Sequence, residues 1–257
     1  MKLGRLRKWA LRPAIAAAAI VATAVGWNFA TGNFGPVIEG RAYRSAQLSP
    51  SGLARVIREH GVRTVLNLRG RNRDRAWYRG EREATLAAGA TQVDIALSSC
   101  VWMSRTQLRT LVDVLETCEK PVLIHCWRGA ERTGLASAFL ALLQDGSTLA
   151  DARAQFSLRH LFVRYGDGKV TAEHLDRYAS WLATNRLDHS PAVFRRWVAT
   201  GYVPGKPNRE DWPIDPYPLV VTTRPTPHGP EETEVFDPRG RPLAGAARAD
   251  LEPAAVR

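Results

Sequence analysis

Hydrophobic and polar positions alternate along the chain in short blocks, each closed by glycine or a cluster of charges. The first block is different: no charge occurs from Pro13 to Ile38, and its apolar part, AIAAAAIVATAVGWNFA, runs from Ala14 to Ala30. TGNFGP then reads as a short linker. RAYRSAQ is an expected strand leading into a helix from Ser51 to His60, ended by Gly61. RTVLNLR is a short apolar run expected as a buried strand. A charged loop, GRNRDR, precedes an expected helix from Trp77 to Ala88, and TQVDIAL reads as another strand. Ser104 and Gln107 have the spacing of a capping box for a helix reaching about Cys118. KPVLIHC is the expected central strand, and helices are expected at 133–144, 148–157, 171–184 and 191–199. Strands alternating with helices predict an α/β fold, a central mostly parallel sheet flanked by helices. From Val203 to the end, 11 of the 16 prolines fall without helical or strand period, which predicts a mostly disordered tail. The pattern therefore divides the chain into 1–30, a folded unit at 31–202 and a tail at 203–257.

Charge gives the first block a direction. Lys2, Arg5, Arg7, Lys8 and Arg12 precede the apolar run, and only Arg41 and Arg44 follow closely. As a helix its 17 residues span roughly 25 Å, the short end of a membrane crossing. The positive-inside rule would keep the N-terminus in the cytoplasm and carry the rest across, outside the cytoplasm. The alternative is a signal peptide, exported after cleavage at Ala22-Thr23-Ala24. The net charge of +11 suits an anionic substrate or surface. No RNA-binding or zinc-finger spacing is present, so nucleic acid is not an expected partner, and no CxxC or HExxH pair supports a metal. Three cysteines are too few for a disulfide scaffold, although Cys100 and Cys118 are free to pair in an oxidising compartment.

The chemistry concentrates in HCWRGAERTG, His125 to Gly134, between the central strand and the next helix. A strand-to-helix turn aims backbone N–H groups at one point, and the helix dipole adds to their pull on an anion. Cys126 sits at the base of this cradle, where the same field favours its thiolate. Arg132, six residues on, supplies a planar fork for two phosphate oxygens. Thr133 offers a hydroxyl to the sulfur, Gly129 allows the backbone to bend close, and His125 is expected to orient the loop through backbone contacts. Trp127, Arg128, Gly129 and Ala130 complete the phosphate-binding wall, with Trp127 and Arg128 placed to line the rim.

This stretch resembles the H-C-x5-R-[ST]-G signature of the cysteine-dependent protein-tyrosine and dual-specificity phosphatases. With VLNLRG and YRSAQLS, the chain from about Gly40 to Ala199 looks like their bacterial dual-specificity branch, and the loop is also similar to that of atypical plant and fungal members acting on inositol pyrophosphates. The resemblance implies in-line attack by Cys126 on phosphorus, a phosphocysteine intermediate and hydrolysis by water, without metal or cofactor. The substrate it implies is a phosphorylated protein or a polyanion such as an inositol phosphate or phosphoinositide. Two other readings stand beside it: a pseudophosphatase that binds a phosphorylated partner, and a rhodanese-type sulfur transferase.

One part of the family pattern is missing. The loop expected to carry an aspartate as general acid, SSCVWMSR, has no carboxylate. Glu131, beside Arg132, and Asp94, on the neighbouring strand, are the two substitutes, with Glu131 the favoured one. Arg69, Arg71, Arg73, Arg75, Arg79 and Arg82 form a basic loop expected beside the catalytic mouth, either to receive a polyanion or as a solvated charge run. Trp77 and Tyr78 are candidates for the pocket wall.

Overall fold

The computed structural model describes residues 31–211 and 218–236, together with positions 15, 16, 23, 26, 28 and 30 of the first block. The centre is a seven-stranded sheet. Its strands are β1 (Gly35–Ile38), β2 (Ala42–Ser45), β3 (Thr64–Asn67), β4 (Thr91–Asp94), β5 (Val122–His125), β6 (Val220–Thr226) and β7 (Gly229–Val235). Their order is β1-β2-β5-β3-β4-β6-β7. The four inner strands β2, β5, β3 and β4 run parallel, while β1, β6 and β7 pair antiparallel at the edges. The expected central strand is thus flanked on both sides, and His125 shares a cross-strand row with Ser45 and with Asn67 and Asp94.

Helices cover both faces. α1 (Pro50–His60) and α2 (Ala76–Ala87) lie in sequence between the first parallel strands. α1 starts on the Ser49 hydroxyl and stops where Gly61 turns left-handed. Tyr43, Val65 and Leu123 pack with Leu53, Val56 and Ile57 of α1 on one face. On the other, Leu66, Val93 and Ile124 pack against α3 (Arg105–Thr117), α4 (Glu131–Leu142), α6 (Asp167–Asn185) and α7 (Pro191–Arg196), the larger core. The short α5 (Leu149–Ala154) follows α4. Both hydrogen bonds of the Ser104–Gln107 capping box are present at the start of α3. α4 is buried along nearly its whole length, so the phosphate loop is held between a central strand and a central helix.

Two expectations are corrected. TGNFGP is not a free linker: Gly32 and Asn33 make a tight left-handed turn and Gly35 opens β1. The tail expected to be mostly disordered contains a β-hairpin, β6–β7, added to the sheet beside β4. Its prolines hid it, yet Pro225 and Pro230 sit opposite each other next to the turn, where missing N–H groups interrupt little pairing. Residues 237–257 lie outside the described residues. Cys100 and Cys118 are both free thiols, and Cys118 Sγ faces Lys120 Nζ at 2.9 Å. Among the described residues no helix is long and apolar enough to cross a membrane; most of the Ala14–Ala30 run lies outside them.

Candidate active site

The loop from Cys126 to Ala130 is shaped by what holds its carbonyls. Trp127 O accepts from the Gln47 backbone N–H at 3.0 Å, Arg128 O from Asn33 Nδ2 at 3.0 Å and Gly129 O from Arg44 Nη2 at 2.9 Å. With three successive carbonyls tied to surrounding elements, the intervening N–H groups are left to line the concave side. Gly129 is required here. Its φ is +71°, and a Cβ would lie 2.6 Å from the Ser45 carbonyl carbon and oxygen.

Cys126 is buried at the bottom. Burial works to raise its pKa, but the Arg132 guanidinium, the Thr133 hydroxyl and the N–H groups of Thr133 and Gly129 outweigh it, and the thiol is held below its ordinary value. Thr133 Oγ1 is buried without an oxygen or nitrogen partner, so the sulfur is the acceptor it serves. Arg132 Nη1 lies 3.4 Å from Leu68 O and 3.3 Å from Leu97 O, long contacts that steer the fork without saturating it. Its buried Nε has no partner. A buried guanidinium N–H beside a thiol can donate to the oxygens of an anion.

Arg44 is the support that the sequence did not single out. It is wholly buried, and Nη1 donates to Gln155 O at 2.7 Å and Gln155 Oε1 at 3.1 Å. Burial lowers its pKa to about 10, opposed by Cys126 and assisted by Arg159, so it remains charged at neutral pH. An apolar-looking strand with one arginine gave no signal that this side chain would point inward to the loop.

His125 is held more by a side chain than by backbone. Its Nε2 lies 3.2 Å from Glu81 Oε1, whereas Nδ1 is 3.4 Å from Cys126 O. Burial opposes its charging, but Glu81 and the Cys126 carbonyl prevail and its pKa is raised. Glu81, buried in α2, also takes Gln47 Nε2, and Gln47 Oε1 accepts from Arg69 Nη1 at 2.9 Å. A polar chain therefore runs from Arg69 through Gln47 and Glu81 to His125, next to the sulfur. Neither Gln47 nor Glu81 was identifiable from spacing, because each meets His125 only through the fold.

The two candidate acids are placed differently. Glu131 is the first residue of α4, 14% exposed in its side chain, and meets Arg128 Nη2 at 3.7 Å. Asp94 is buried and accepts from Asn67 Nδ2 at 2.8 Å, Tyr78 Oη at 2.6 Å and Gln92 Nε2 at 3.0 Å. Burial raises its pKa to about 6 against those three donors. Strand alternation puts its side chain on the same face as His125 and Glu81, away from the core face where Cys126 packs. Tyr78 belongs to this buried group and not to a pocket wall, while Trp77 is stacked under Arg69, 3.6 Å from its guanidinium carbon. Trp127 is 62% exposed, so its ring sits on the rim.

The basic loop divides in two. Arg69 is near enough to Arg132 and Cys126 for both to affect it; burial and Arg132 lower its pKa against Glu81 and Cys126. Arg71, Arg73 and Arg82 instead face the hairpin. Arg71 Nη1 is 2.7 Å from Glu232 Oε1 and also bonds Glu234, Arg73 pairs with Glu232, and Arg82 Nη2 is 3.9 Å from Glu232 Oε2.

Residues 24–169, more than half of the chain, match the sequence model of a family described as DSP-PTPase phosphatase fused to NAD+ kinase. The chain belongs to this DSP-PTPase family. Among solved structures, it is similar to the core catalytic domain of the PP-IP phosphatase SIW14 from S. cerevisiae in complex with citrate. That likeness is at 20% identity and TM-score 0.43, over 60% of this chain and 92% of that one. A putative phosphatase from Neisseria meningitidis matches at 18% identity and TM-score 0.40, over 55% and 94%. TpbA of P. aeruginosa in complex with phosphotyrosine matches at 20% and 0.38, over 56% and 91%. No curated protein matches the chain in sequence. As a DSP-PTPase member the chain is a cysteine-dependent phosphatase by family, which sets the sulfur-transferase alternative aside.

Proposed function

We propose that this DSP-PTPase hydrolyses phosphate monoesters with Cys126 as nucleophile and Arg132 as the phosphate clamp. The observation that carries the reading is the convergence of Arg132, Thr133 Oγ1 and the Gly129 and Thr133 N–H groups on one buried sulfur. The Cys126 thiolate attacks phosphorus in line with the ester oxygen. The P–O ester bond breaks as the P–S bond forms, and Glu131 gives its proton to the leaving oxygen. Water then attacks the phosphocysteine, Glu131 takes back a proton, and inorganic phosphate leaves with the thiolate restored. Arg132 Nε and its fork meet the equatorial oxygens, and the loop N–H groups meet the charge that develops on them. Glu131 is preferred to Asp94 because it stands at the loop beside Arg132, whereas each Asp94 oxygen is already occupied by donors. With Arg71, Arg73 and Arg82 engaged by the hairpin and Arg128 paired with Glu131, Arg69, held only by the neutral Gln47 and stacked on Trp77, is the rim's receiver of additional negative charge.

The decisive experiment is Cys126→Ser. Phosphate release from an aryl phosphate should cease while phosphate-ester binding persists, and acid-quenched wild type should carry one phosphoryl group on Cys126. Release at the wild-type rate by Cys126→Ser would refute the covalent route. No aryl phosphate turnover by wild type would leave the binding-only, pseudophosphatase alternative, for which the missing carboxylate on residues 98–105 is the motive.

For location, the reading is a single-pass anchor at Ala14–Ala30 with the catalytic unit outside the cytoplasm, or export after signal cleavage. The five bases before the run against two after it support this orientation. Membrane fractionation that resists alkaline carbonate distinguishes an anchor from a cleaved signal. A C-terminal reporter active in the cytoplasm would reject both.

A further inference from the structure

The loop without a carboxylate, residues 98–105, is held by a segment much later in the chain, residues 202–211. Trp102 is the centre of the contact. Its backbone N–H donates to Pro207 O at 2.9 Å and its carbonyl accepts from the Arg209 N–H at 3.4 Å, so that Trp102 and Asn208 pair as an isolated parallel bridge. The Trp102 ring is buried, stacked on His174 at 4.4 Å, with the Arg177 guanidinium carbon also 4.4 Å from its centre. Gly205 packs on the indole, where a Cβ would collide with the ring. Tyr202 Oη donates to Met103 O at 2.8 Å, and Glu210 accepts from the Arg105 N–H at 2.8 Å and from Arg105 Nη1 at 2.7 Å. Asn208 ties the segment to itself: Nδ2 donates to Gly205 O and Oδ1 accepts from the Glu210 N–H, both at 2.8 Å. The match to the family's sequence model ends at residue 169, so this segment lies outside it.

One contact of this segment leads to the phosphate clamp. Arg209 Nη1 donates to Ala96 O at 3.0 Å, closer than the second donor there, Gln107 Nε2 at 3.4 Å. A trans peptide is planar with its C=O and N–H opposed, so fixing Ala96 O also fixes the Leu97 N–H on the other side. That N–H donates to Leu68 O at 3.3 Å, and the Leu68 N–H is held in turn by His125 O at 2.9 Å. Leu68 O and Leu97 O are the two carbonyls that Arg132 Nη1 meets. Contacts as long as these orient a guanidinium only where the carbonyls are themselves held in place. Arg209 therefore stands one peptide away from the pair of oxygens that aim the fork.

We propose that Arg209 is a positioning residue for Arg132, acting through the Ala96–Leu97 peptide, and that residues 202–211 are a strap that completes the active site from beyond the family-matched part of the chain. The proposal rests on the phosphatase reading above, in which Arg132 holds the phosphoryl oxygens. Without the Arg209 donor the Ala96–Leu97 peptide can tilt, Leu97 O and Leu68 O shift from Nη1, and the fork loses the plane that matches two phosphoryl oxygens. Glu210 belongs to the same strap with a different task. Its bonds go to Arg105 at the start of α3 and not to the Ala96–Leu97 peptide.

The test compares, in the full chain, Arg209→Met, which removes the donor, Arg209→Lys, which keeps a cation for Ala96 O, and Glu210→Gln, which loosens the strap elsewhere. Two readouts depend on the clamp in turnover and binding: kcat/KM on an aryl phosphate and the inhibition constant of vanadate. A third needs no turnover. It is the ratio of Cys126 alkylation by iodoacetate to that by iodoacetamide, read by peptide mapping, since only the anionic reagent is drawn by a positioned guanidinium. Arg209→Met should lower all three by roughly tenfold, the scale that a charge-assisted hydrogen bond contributes. Arg209→Lys should restore them to within about threefold of wild type. Glu210→Gln should lower the melting temperature and leave all three within about twofold. In an Arg132→Lys background, Arg209→Met should cost less than about twofold more, because the fork it aims is gone. Variants are compared at matching near-UV circular dichroism, with Arg209→Gln in place of Arg209→Met if the latter does not fold. Wild-type values in Arg209→Met, no rescue by Arg209→Lys, an equal loss in Glu210→Gln, or the full loss in the Arg132→Lys background would each overturn the proposal and leave the phosphatase reading intact. Absence of aryl phosphate turnover in wild type would overturn the phosphatase reading, and the alkylation ratio would still decide the role of Arg209.

Discussion

The phosphate loop and the basic loop both gather arginine, and the fold treats the two sets differently. Arg71 is nearly as buried as Arg44, but Arg71 meets two carboxylates of β7, whereas Arg44 meets only neutral oxygens of Gly129 and Gln155. Arg132 has a buried N–H with no partner at all. One region thus has its positive charge balanced from within the chain. In the other, Arg128 pairs with Glu131, but Arg44 and Arg132 meet only neutral oxygens beside the buried sulfur. Density of arginine in the sequence therefore does not tell which guanidinium groups the fold pairs with its own carboxylates.

Exchanging side chains in the two regions should separate these roles. The largest effect is expected for Arg132→Lys, which retains charge and loses the planar fork: a fall in kcat/KM of about 10²–10³-fold, measured on an aryl phosphate. The same change at Arg71 should leave that rate within a factor of about two, as it touches no part of the cradle. If Arg71→Lys matched the loss at Arg132, the division between the regions would be wrong.

Glu131→Gln should discriminate by leaving group. An alkyl phosphate, which needs its oxygen protonated, should slow by about 10²–10⁴-fold, and an aryl phosphate with a good leaving group much less. Asp94→Asn should show no such dependence. The opposite pattern would move the acid to Asp94.

Arg44→Met should act first on stability. It leaves the Gly129 and Gln155 carbonyls without their donor, at a cost of about 1–3 kcal/mol in denaturant unfolding, and loosens the loop that Gly129 shapes. Glu232→Gln should cost less, about 1 kcal/mol, because the pairs it weakens are partly solvated.

The smallest effect is one of pH. Because the folded-state pKa of His125 is raised from 6.5, the stability its charge contributes is complete below that value and is lost as pH rises through the higher folded value. Glu81→Gln should flatten this fall, seen in unfolding free energies measured from pH 6 upward, and should move the thiolate limb of iodoacetamide alkylation to higher pH. A Glu81→Gln profile superimposable on wild type would mean that the buried pair does not tune the site.

Legibility followed from how far apart interacting residues lie. Strand–turn–helix order around Cys126, the capping box at Ser104 and the stop at Gly61 depend on neighbours within a few positions, and each was readable. The β6–β7 hairpin was not, although VVTT has the β-branched character of a strand, because the surrounding prolines carried the stronger local signal. Glu232 and Glu234 then alternate onto one face of an edge strand and reach Arg71 and Arg73, some 160 positions earlier, a meeting that no local pattern announces.

The sequence by itself determined the α/β alternation and the grouping within HCWRGAERTG, since a thiol, a guanidinium and a bending glycine on one turn are confined by the covalent chain to a few ångströms. Only the tertiary structure decided what holds that turn open and what stands around it. Asn33, Arg44 and Gln47 come from the strand and turn beside β5 to fix three carbonyls, Glu81 comes from α2 to hold His125, and the hairpin takes up half of the basic loop. These are hydrogen bonds and ion pairs between segments distant along the chain, whose partners are selected by how the sheet orders its strands, and strand order is a property of the packed whole.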